Sequence, residues 1–447
     1  MDFFENGINK KRTRTSNIEK KMAGGKVMKK RFVLGTIILF PIYVCLIYVY
    51  LFHWTTPGVP EAYQGTVADP VTFMTAQEVE LSQEYSRYRN LLFFIGIPLE
   101  ALIYIGILVF GWSPIFKRFG QRISFLSIPI YVLLVSAVVW IFSFPLDYVG
   151  YRLSAHYGIS TQTFSSWMSD ELLSFWIGFI IMAILITVLY FLMKKYQKRW
   201  WLLAWALLIP FFTFMMYIQP VLIDPLYNEF TELKDPDLEA EILALADQAD
   251  IPADRVYQVD MSEKTNAMNA YVNGIGDNLR IVLWDTTLNK LDEKETLFIM
   301  AHEIGHYVMN HLYMNLAGVI ASSFIGLYVT YRLMHVVVRR WGENLGVTRV
   351  SDIASLPMLL LLLTVLSIAS SPVELAISRQ AETAADEYAL EMLPDSEAAI
   401  GSFQELTVNG LSEVNPPALV KLLRYGHPTM MERILMIQEN GSGVCRP

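Results

Sequence analysis

Seven apolar stretches divide the chain, and each is long enough to cross a lipid bilayer as a helix. The hydrocarbon core of a bilayer needs about 20 predominantly apolar residues per helix. The first stretch is too long for a signal peptide and lacks a small-residue cleavage site, so it counts as a span. The stretches run approximately Phe32–Phe52, Leu91–Trp112, Ile123–Phe144, Leu172–Met193, Trp200–Leu222, Leu312–Val338 and Ser355–Ile377.

Lysine and arginine are concentrated on alternate connecting segments. The N-terminal tail, residues 1–31, holds ten of them, and further clusters lie within 117–122, 194–199 and 339–349. Short cytoplasmic loops are enriched in these residues. The bias therefore predicts a multi-pass membrane protein with a cytoplasmic N-terminus, and it places segment 223–311 and the C-terminal tail on the opposite side.

Two polar segments have the pattern of a water-soluble domain. In the first, Asp235 and Pro236 begin a helix that ends near Asp250, and Asp292 begins another in an acidic variant of the capping box with Glu295. The second, 378–447, is predicted to form helices separated by prolines. Between the two helices of the first segment, three runs resemble strands: Arg255–Asp260, Ala267–Val272 and Arg280–Asp285.

Composition narrows the class of protein further. Of the 447 residues, 53% are hydrophobic and only 17% are charged, against roughly 25% charged residues in soluble domains. The net charge of −8 disfavours a nucleic-acid partner. Two cysteines, Cys45 and Cys445, exclude a disulfide scaffold and a cysteine-based zinc site. An integral membrane protein, with the lipid bilayer as a partner, is predicted.

A short run on the second predicted helix carries the chemistry. His302 and His306 are four residues apart, so a helix places both imidazoles on one face, where they can bind one zinc ion. Glu303, on the same turn, can take a proton from a metal-bound water. With seven His and 43 acidic residues in the chain, chance predicts about 0.01 occurrences of this pattern. The alternative is a solvated helix that carries these residues incidentally.

A catalytic zinc ion needs a third protein ligand, and acidic residues directly after the last span can supply it. Glu382 and Asp386 are four residues apart and therefore share a helical face. Glu382 as a ligand would hold the metal, and Asp386 could orient a ligand imidazole. Spacing alone does not decide among the downstream acids, and an acidic helix surface beside the membrane is the alternative.

These motifs resemble those of the M48 zinc metallopeptidases, closest to the Ste24 type, the CAAX prenyl protease 1 group. The resemblance covers most of 145–437 and agrees with the count of seven spans. It implies a mainly α, polytopic membrane protein: seven transmembrane helices around a water-filled chamber, with an α+β zincin-like metalloprotease domain. The matching elements are His302-Glu303-x-x-His306 with Gly305 and His311, Arg379-x-x-Glu382-x-x-x-Asp386, Asn269-Ala270-Tyr271, Arg280-Ile281-Val282-Leu283, and His427-Pro428 with Arg433-Ile434.

The resemblance also implies roles for these residues. It favours Glu382 as the third zinc ligand and His427 as a donor to the oxyanion of the reaction; a buried structural histidine is the alternative for His427. Arg433 is expected to hold the site through an acidic partner such as Asp386. The strand at Asn269, Ala270 and Tyr271 is expected to bind substrate backbone by β-augmentation, with an ordinary edge strand as the alternative.

The chain departs from the family pattern before this strand, where it reads Lys264-Thr265-Asn266-Ala267-Met268 instead of a basic-Ser-His-Ser step. The loop charges also place the protease segments opposite the cytoplasm, whereas eukaryotic members act on the cytoplasmic side. Either the charge bias fails here, or this is a bacterial-type homologue whose substrates are not CAAX proteins.

The leading hypothesis is an integral-membrane zinc metalloendopeptidase with one Zn²⁺ per chain and a peptide or protein substrate, with or without a prenyl group. One alternative is an HtpX-like quality-control protease of the membrane, and another is a seven-helix receptor or transporter with an incidental motif. The predicted division is a tail at 1–31, spans 1–5 within 32–222, a metalloprotease domain at 223–311, spans 6–7 within 312–377, and the rest of the protease domain at 378–447.

Overall fold

The computed structural model describes residues 27–56, 58–274 and 279–441. Its longest helices coincide with the seven apolar stretches, and all but α6 extend beyond the predicted stretch at one or both ends. The seven spans are therefore confirmed. The helices that contain them are α1 (Val27–Trp54), α2 (Ala76–Val109), α4 (Ser127–His156), α5 (Phe164–Lys195), α6 (Trp200–Ile218), α10 (His311–Leu345) and α11 (Leu356–Met392).

The basic loops meet at one end of these helices, as their alternation along the chain predicts. A short helix, α3 (Trp112–Gly120), carries one of the clusters. Lys117, Lys194 and Arg349, from three different loops, line a single cavity. Lys117 also forms an ion pair with Asp352, with Nζ 2.7 Å from Oδ2. The described part of the chain thus has one strongly basic end.

The opposite end carries a small α+β domain. Its four-stranded sheet has the order β1-β2-β4-β3, in which β2 and β4 are parallel and the other neighbours antiparallel. The strands begin close to the predicted runs, except that β1 was not predicted and β3 starts at Ala270 rather than Ala267. The bounds are β1 (Phe230–Glu232), β2 (Val256–Val259), β3 (Ala270–Asn273) and β4 (Arg280–Trp284).

Helices cover the sheet and bury its apolar side chains. Ile281 and Leu283 of β4 are fully buried in one core with Phe298, Met300 and Ile304. This core joins the two polar segments, because α12 and α14 pack into it through side chains such as Phe403 and Ile437. The helices are α7 (Pro236–Gln248), α8 (Asp285–Lys290), α9 (Glu293–Val308), α12 (Ser396–Asn409), α13 (Ala418–Arg424) and α14 (Met430–Gly441).

An ion pair and a short backbone bridge attach this domain to the membrane part. Ser160, in the loop between α4 and α5, forms a β-bridge with Thr265. Nearby, Lys264 Nζ lies 2.7 Å from Asp170 Oδ2 and donates to the Tyr227 carbonyl at 2.6 Å. Lys264 belongs to the segment that departs from the family pattern, and here it holds the segment before β3 against the end of α5. The predicted fold class, seven spans with an α+β domain, is confirmed.

Candidate metal centre and active site

Helix α9 carries the first part of the site, and its ends are fixed locally. A capping box closes its N-terminus: Glu295 N donates to Asp292 Oδ1 at 2.9 Å, and Asp292 N donates to Glu295 Oε2 at 3.0 Å. At its C-terminus Asn310 has φ 57°, a left-handed conformation that asparagine tolerates. The turn reverses the chain into α10. One turn of α9 separates His302 from His306, as predicted.

Helix α11 brings Glu382 against these two histidines. His302 Nε2 lies 3.3 Å from Glu382 Oε2, and His306 Nε2 lies 3.4 Å from Oε1. The close approach of the helices depends on Gly305, because a Cβ there would stand 3.0 Å from the Tyr388 ring and 3.4 Å from Ala385 Cα. A side chain at this position, between the two candidate ligands, would therefore crowd α11.

The three side chains have the spacing of a zinc site. The Nε2 atoms of His302 and His306 are 3.1 Å apart, and each is 3.3–3.4 Å from an oxygen of Glu382. Tetrahedral zinc with bonds of about 2.0–2.1 Å keeps its ligand atoms about 3.3 Å apart. Among the residues that the structure describes, these three form the one group of at least three His, Cys, Asp or Glu side chains close enough to hold a metal ion. Nitrogen and carboxylate donors of this kind fit Zn²⁺.

Asp386 and Arg433 support His302 from behind. His302 Nδ1 lies 2.8 Å from Asp386 Oδ1. Arg433 donates to the same carboxylate from Nε at 2.8 Å and from Nη2 at 2.5 Å, and its guanidinium lies over the Phe403 ring. Asp386 is fully buried, and Arg433 is nearly so. This pair fixes the imidazole orientation and leaves Nε2 directed at the site.

His311 supports the second histidine. Its Nδ1 lies 2.8 Å from His306 Nδ1, and the ring is buried at the start of α10. A hydrogen bond between two imidazoles fixes which nitrogen of each carries the proton. The sequence names His311 only as part of the motif that resembles the M48 pattern, and the structure shows that it contacts a candidate ligand.

His427 stands beside the carboxylate, in the loop before α14. Its Nδ1 is 2.8 Å from Glu382 Oε2, and 62% of its side chain is exposed. The alternative of a buried structural histidine is therefore wrong. Two contacts hold this part of the chain in place: Arg379 Nη1 donates to the Tyr425 carbonyl at 2.7 Å, and Glu432 caps the Thr429 amide at 2.9 Å.

Burial and neighbouring groups have opposite effects on the pKa values of the side chains at this site. Burial acts to raise the pKa of Glu382, but hydrogen bonds from His302, His306 and His427 outweigh it and hold that pKa well below its ordinary value. Burial acts to lower the pKa of His302, yet Asp386 and Glu382 raise it to about 9. For Glu303 burial dominates and raises the pKa, in spite of the nearby imidazoles. A carboxyl group with a raised pKa is a stronger proton acceptor.

A cavity of about 390 Å³ contains the reactive side of the site. Glu303, His302 and His427 line it together with Asn269 and Ala270. Strand β3 forms an edge of the sheet, since it pairs only with β4 among the described strands. Tyr271, the third residue predicted to bind substrate, does not line this cavity.

Sequence reasoning missed the polar wall opposite β3. Arg89 and Asn90 of α2 line the cavity, as do Glu413 and Arg424 from the C-terminal segment. Arg424 donates to Asn90 Oδ1 through Nη1. The one available signal was the polar run directly before the second apolar stretch. Nothing in the spacing of these residues indicates that they meet.

Comparison with known families gives two matches that together cover most of the chain. Residues 232–440 match peptidase family M48, and residues 51–229 match the family described as "CAAX prenyl protease N-terminal, five membrane helices". A metalloprotease of Bacillus subtilis, YhfN, described as uncharacterized, is 47% identical over 408 residues, which are 91% of this chain and 96% of the relative. The chain belongs to peptidase family M48.

Two more distant proteins align with most of the chain. A CAAX prenyl protease 1 homolog of Arabidopsis thaliana is 26% identical over 85% of this chain and 90% of its own. The crystal structure of Ste24p from S. mikatae superposes with a TM-score of 0.73 at 24% identity, covering 92% of this chain and 98% of that one. The similarity to Ste24p shows a shared fold.

Family membership confirms the predicted enzyme class. This M48 protein is a membrane metalloprotease of the Ste24 or CAAX protease type. Its place in a peptidase family decides against a receptor or transporter with an incidental motif. The match to the five-helix N-terminal family favours the CAAX protease type over the HtpX-like alternative.

Proposed function

We propose that this protein is a zinc endopeptidase that cleaves peptide bonds within the membrane-associated cavity described above. The observation that carries the proposal is the meeting of His302, His306 and Glu382 at ligand spacing, with Glu303 in the same cavity. The substrate is a peptide or protein, with or without a prenyl group.

Substrate backbone binds along the open edge of β3. A peptide added there forms main-chain hydrogen bonds with a strand that has one free side. Asn269 and Ala270 line the cavity near Glu303, so an added strand passes the reactive groups. The Asn269 backbone is itself fixed, since its carbonyl accepts from Thr287 Oγ1 at 2.7 Å and its amide donates to that oxygen at 2.9 Å.

In this proposal Glu303 transfers the proton of the reaction, and His427 stabilises its oxyanion. A zinc ion held by His302, His306 and Glu382 would supply a water of lowered pKa and polarise the carbonyl. Glu303 accepts the proton of the attacking water and returns it to the leaving amine. His427 is directed to the site by its contact with Glu382, and its ring N–H stabilises the oxyanion. Asp386 with Arg433, and His311, hold the two imidazoles in place.

Two substitutions separate metal binding from proton transfer. Glu303→Gln should abolish cleavage while zinc content stays near one per chain, because Glu303 is not a ligand in the proposal. Glu382→Ala should lower both. Glu387→Gln, on the exposed side of α11, is the matched control and should keep both. Full turnover in Glu303→Gln would remove Glu303 from the mechanism, and an unchanged zinc load in Glu382→Ala would mean that another residue is the third ligand.

The same assay addresses the substrate. One peptide offered with and without a prenyl group on its cysteine distinguishes a requirement for lipid from general peptidase activity. Equal cleavage of both would support a bacterial-type protease whose substrates are not CAAX proteins.

The loop charges supply the proposed location. In this proposal the basic end faces the cytoplasm of a bacterial cell, and the active site lies on the other side. A reporter that works only outside the cytoplasm should then be active when it is fused to the C-terminus. Activity of a reporter that works only in the cytoplasm would show the reverse orientation.

A further inference from the structure

A second cavity, of about 560 Å³, lies at the basic end of the molecule, far along the spans from the candidate metal centre. Here it is called the basic cavity. It opens where α5 and α6 are joined and is closed by the last turns of α10 and the loop that follows. Its lining includes five residues with N–H donors: Trp200, Arg332, His335, Arg339 and Arg349.

The polar side chains of the basic cavity are predominantly hydrogen-bond donors. A guanidinium has five N–H donors and no acceptor, and an indole has one donor. Of the described residues that line the cavity, none is Asp or Glu. Two acids lie close along the chain: Asp352 is paired with Lys117 at 2.7 Å, and Glu343, four residues after Arg339, does not line the cavity. The cavity therefore has excess positive charge.

Two of these donors are paired within the protein, and one buried donor is not. Arg332 Nη1 donates to the Tyr328 hydroxyl at 2.9 Å, and His335 Nδ1 donates to the Tyr331 carbonyl at 2.8 Å. Arg339 and Arg349 are exposed, so their guanidinium groups are accessible to a ligand in the cavity. Trp200 is 1% exposed, and its Nε1 has no hydrogen-bond partner in the described part of the chain. Buried donors are rarely left unpaired, so an acceptor is missing here.

The surroundings are those of a membrane interface. Trp201, next to the cavity, packs on Tyr328 with ring centroids 5.1 Å apart, and aromatic residues of this kind mark the level of lipid headgroups. Beside the guanidinium groups, Leu333 and Val336 of α10 and Leu202 of α6 expose apolar side chains. Donors next to an exposed apolar surface match a molecule with an anionic head and acyl chains.

We propose that the basic cavity binds the phosphate headgroup of an anionic phospholipid. The bound headgroup then links the α5–α6 loop, α10 and the loop after α10. Basic pockets between transmembrane helices are known to take such headgroups. A free phosphate shares the head chemistry but not the chains, so the two sources can be distinguished.

The test uses the delipidated full-length protein in neutral detergent. Native mass spectrometry with phosphatidylglycerol should show one retained lipid per chain, and phosphatidylcholine with the same chains should not be retained. Arg339→Gln/Arg349→Gln should weaken phosphatidylglycerol binding by about tenfold or more, since each lost guanidinium removes a charge-assisted hydrogen bond. The matched control is Arg340→Gln on the same helix, because Arg340 does not line the cavity; it should bind like the wild type.

Three results would overturn the proposal. Equal retention of both lipids would show that the head charge is not recognised. Unchanged binding in the double variant, with zinc content and activity intact as the check on folding, would place the lipid elsewhere. Competition by millimolar inorganic phosphate that fully displaces the lipid would identify a soluble anion as the ligand.

Discussion

His302 Nδ1 lies 2.8 Å from Asp386 Oδ1, on a carboxylate that also accepts two hydrogen bonds from Arg433. The orientation of His302 Nε2, the nitrogen that faces the candidate metal site, therefore depends on two residues outside that site. Sites of this kind lose metal affinity when the outer partner is altered.

Asp386→Asn should therefore weaken zinc binding by about 10–100-fold, because the amide can no longer stabilise the His302 N–H in its required form. Zinc content measured against free zinc concentration checks this, and excess zinc should restore part of the activity. Asp395→Asn, which alters an exposed acid at the cap of α12, is the control. Wild-type affinity in Asp386→Asn would show that Asp386 serves only the fold.

His311→Ala should have a smaller but similar effect, because it leaves His306 Nδ1 without its partner at 2.8 Å. We expect about a tenfold loss of zinc affinity with Glu303 still in place. His53→Ala, an exposed histidine at the end of α1, should leave affinity unchanged. If both variants bind zinc alike, the contact between the two imidazoles has no part in holding the metal.

Gly305→Ala should separate α9 from α11. The added Cβ would lie 3.0 Å from the Tyr388 ring, so the helices must move by a few tenths of an ångström. Overpacking of this kind costs about 1–3 kcal/mol, and it shifts Glu382 away from the imidazoles. Both the thermal midpoint and zinc affinity should fall. Gly318→Ala, where a Cβ meets nothing within 4 Å, is the matched control and should change neither.

Glu413 should make stability depend on pH. Burial, partly offset by Arg87, raises its pKa to about 7, and Oε2 has no hydrogen-bond partner in the described structure. The folded state then holds the proton more tightly than the unfolded state, whose pKa is near 4.5. This stabilisation is complete below pH 4.5 and is lost as the pH rises through 7.

Glu413→Gln mimics the protonated form and should remove this dependence. Between pH 5 and pH 8 the free energy of unfolding of the wild type should fall by up to about 3 kcal/mol more than that of the variant, since one pKa unit corresponds to about 1.36 kcal/mol. Thermal midpoints of both proteins across this range provide the measurement. Parallel curves would mean that Glu413 titrates normally.

Local patterns predicted most of the fold. The spans follow from apolar length, and the start of α9 follows from Asp292 and Glu295, because both signals lie within a few neighbouring residues. Strand β1 was missed because its three residues, Phe230–Glu232, have no pattern of their own and exist only through pairing with β2.

The candidate site likewise contains residues that local sequence predicts and residues that only tertiary packing brings together. His302, Glu303 and His306 are readable from one helical turn, and Glu382 was one of several acids until the resemblance favoured it. The pairing of His311 with His306 depends on the sharp turn at Asn310, and the wall of Arg89, Glu413 and Arg424 depends on tertiary packing. Neither has a signal in residue spacing.

Helix α11 runs without interruption from Leu356 to Met392, so the segment that crosses the bilayer also carries Glu382 and Asp386. A cut at the membrane surface would divide the helix that positions Glu382, one of the three candidate metal ligands. A change in bilayer thickness, or a detergent, that tilts α11 would also move the Glu382 carboxylate out of alignment with α9. Catalysis and insertion are thus inseparable properties of one helix.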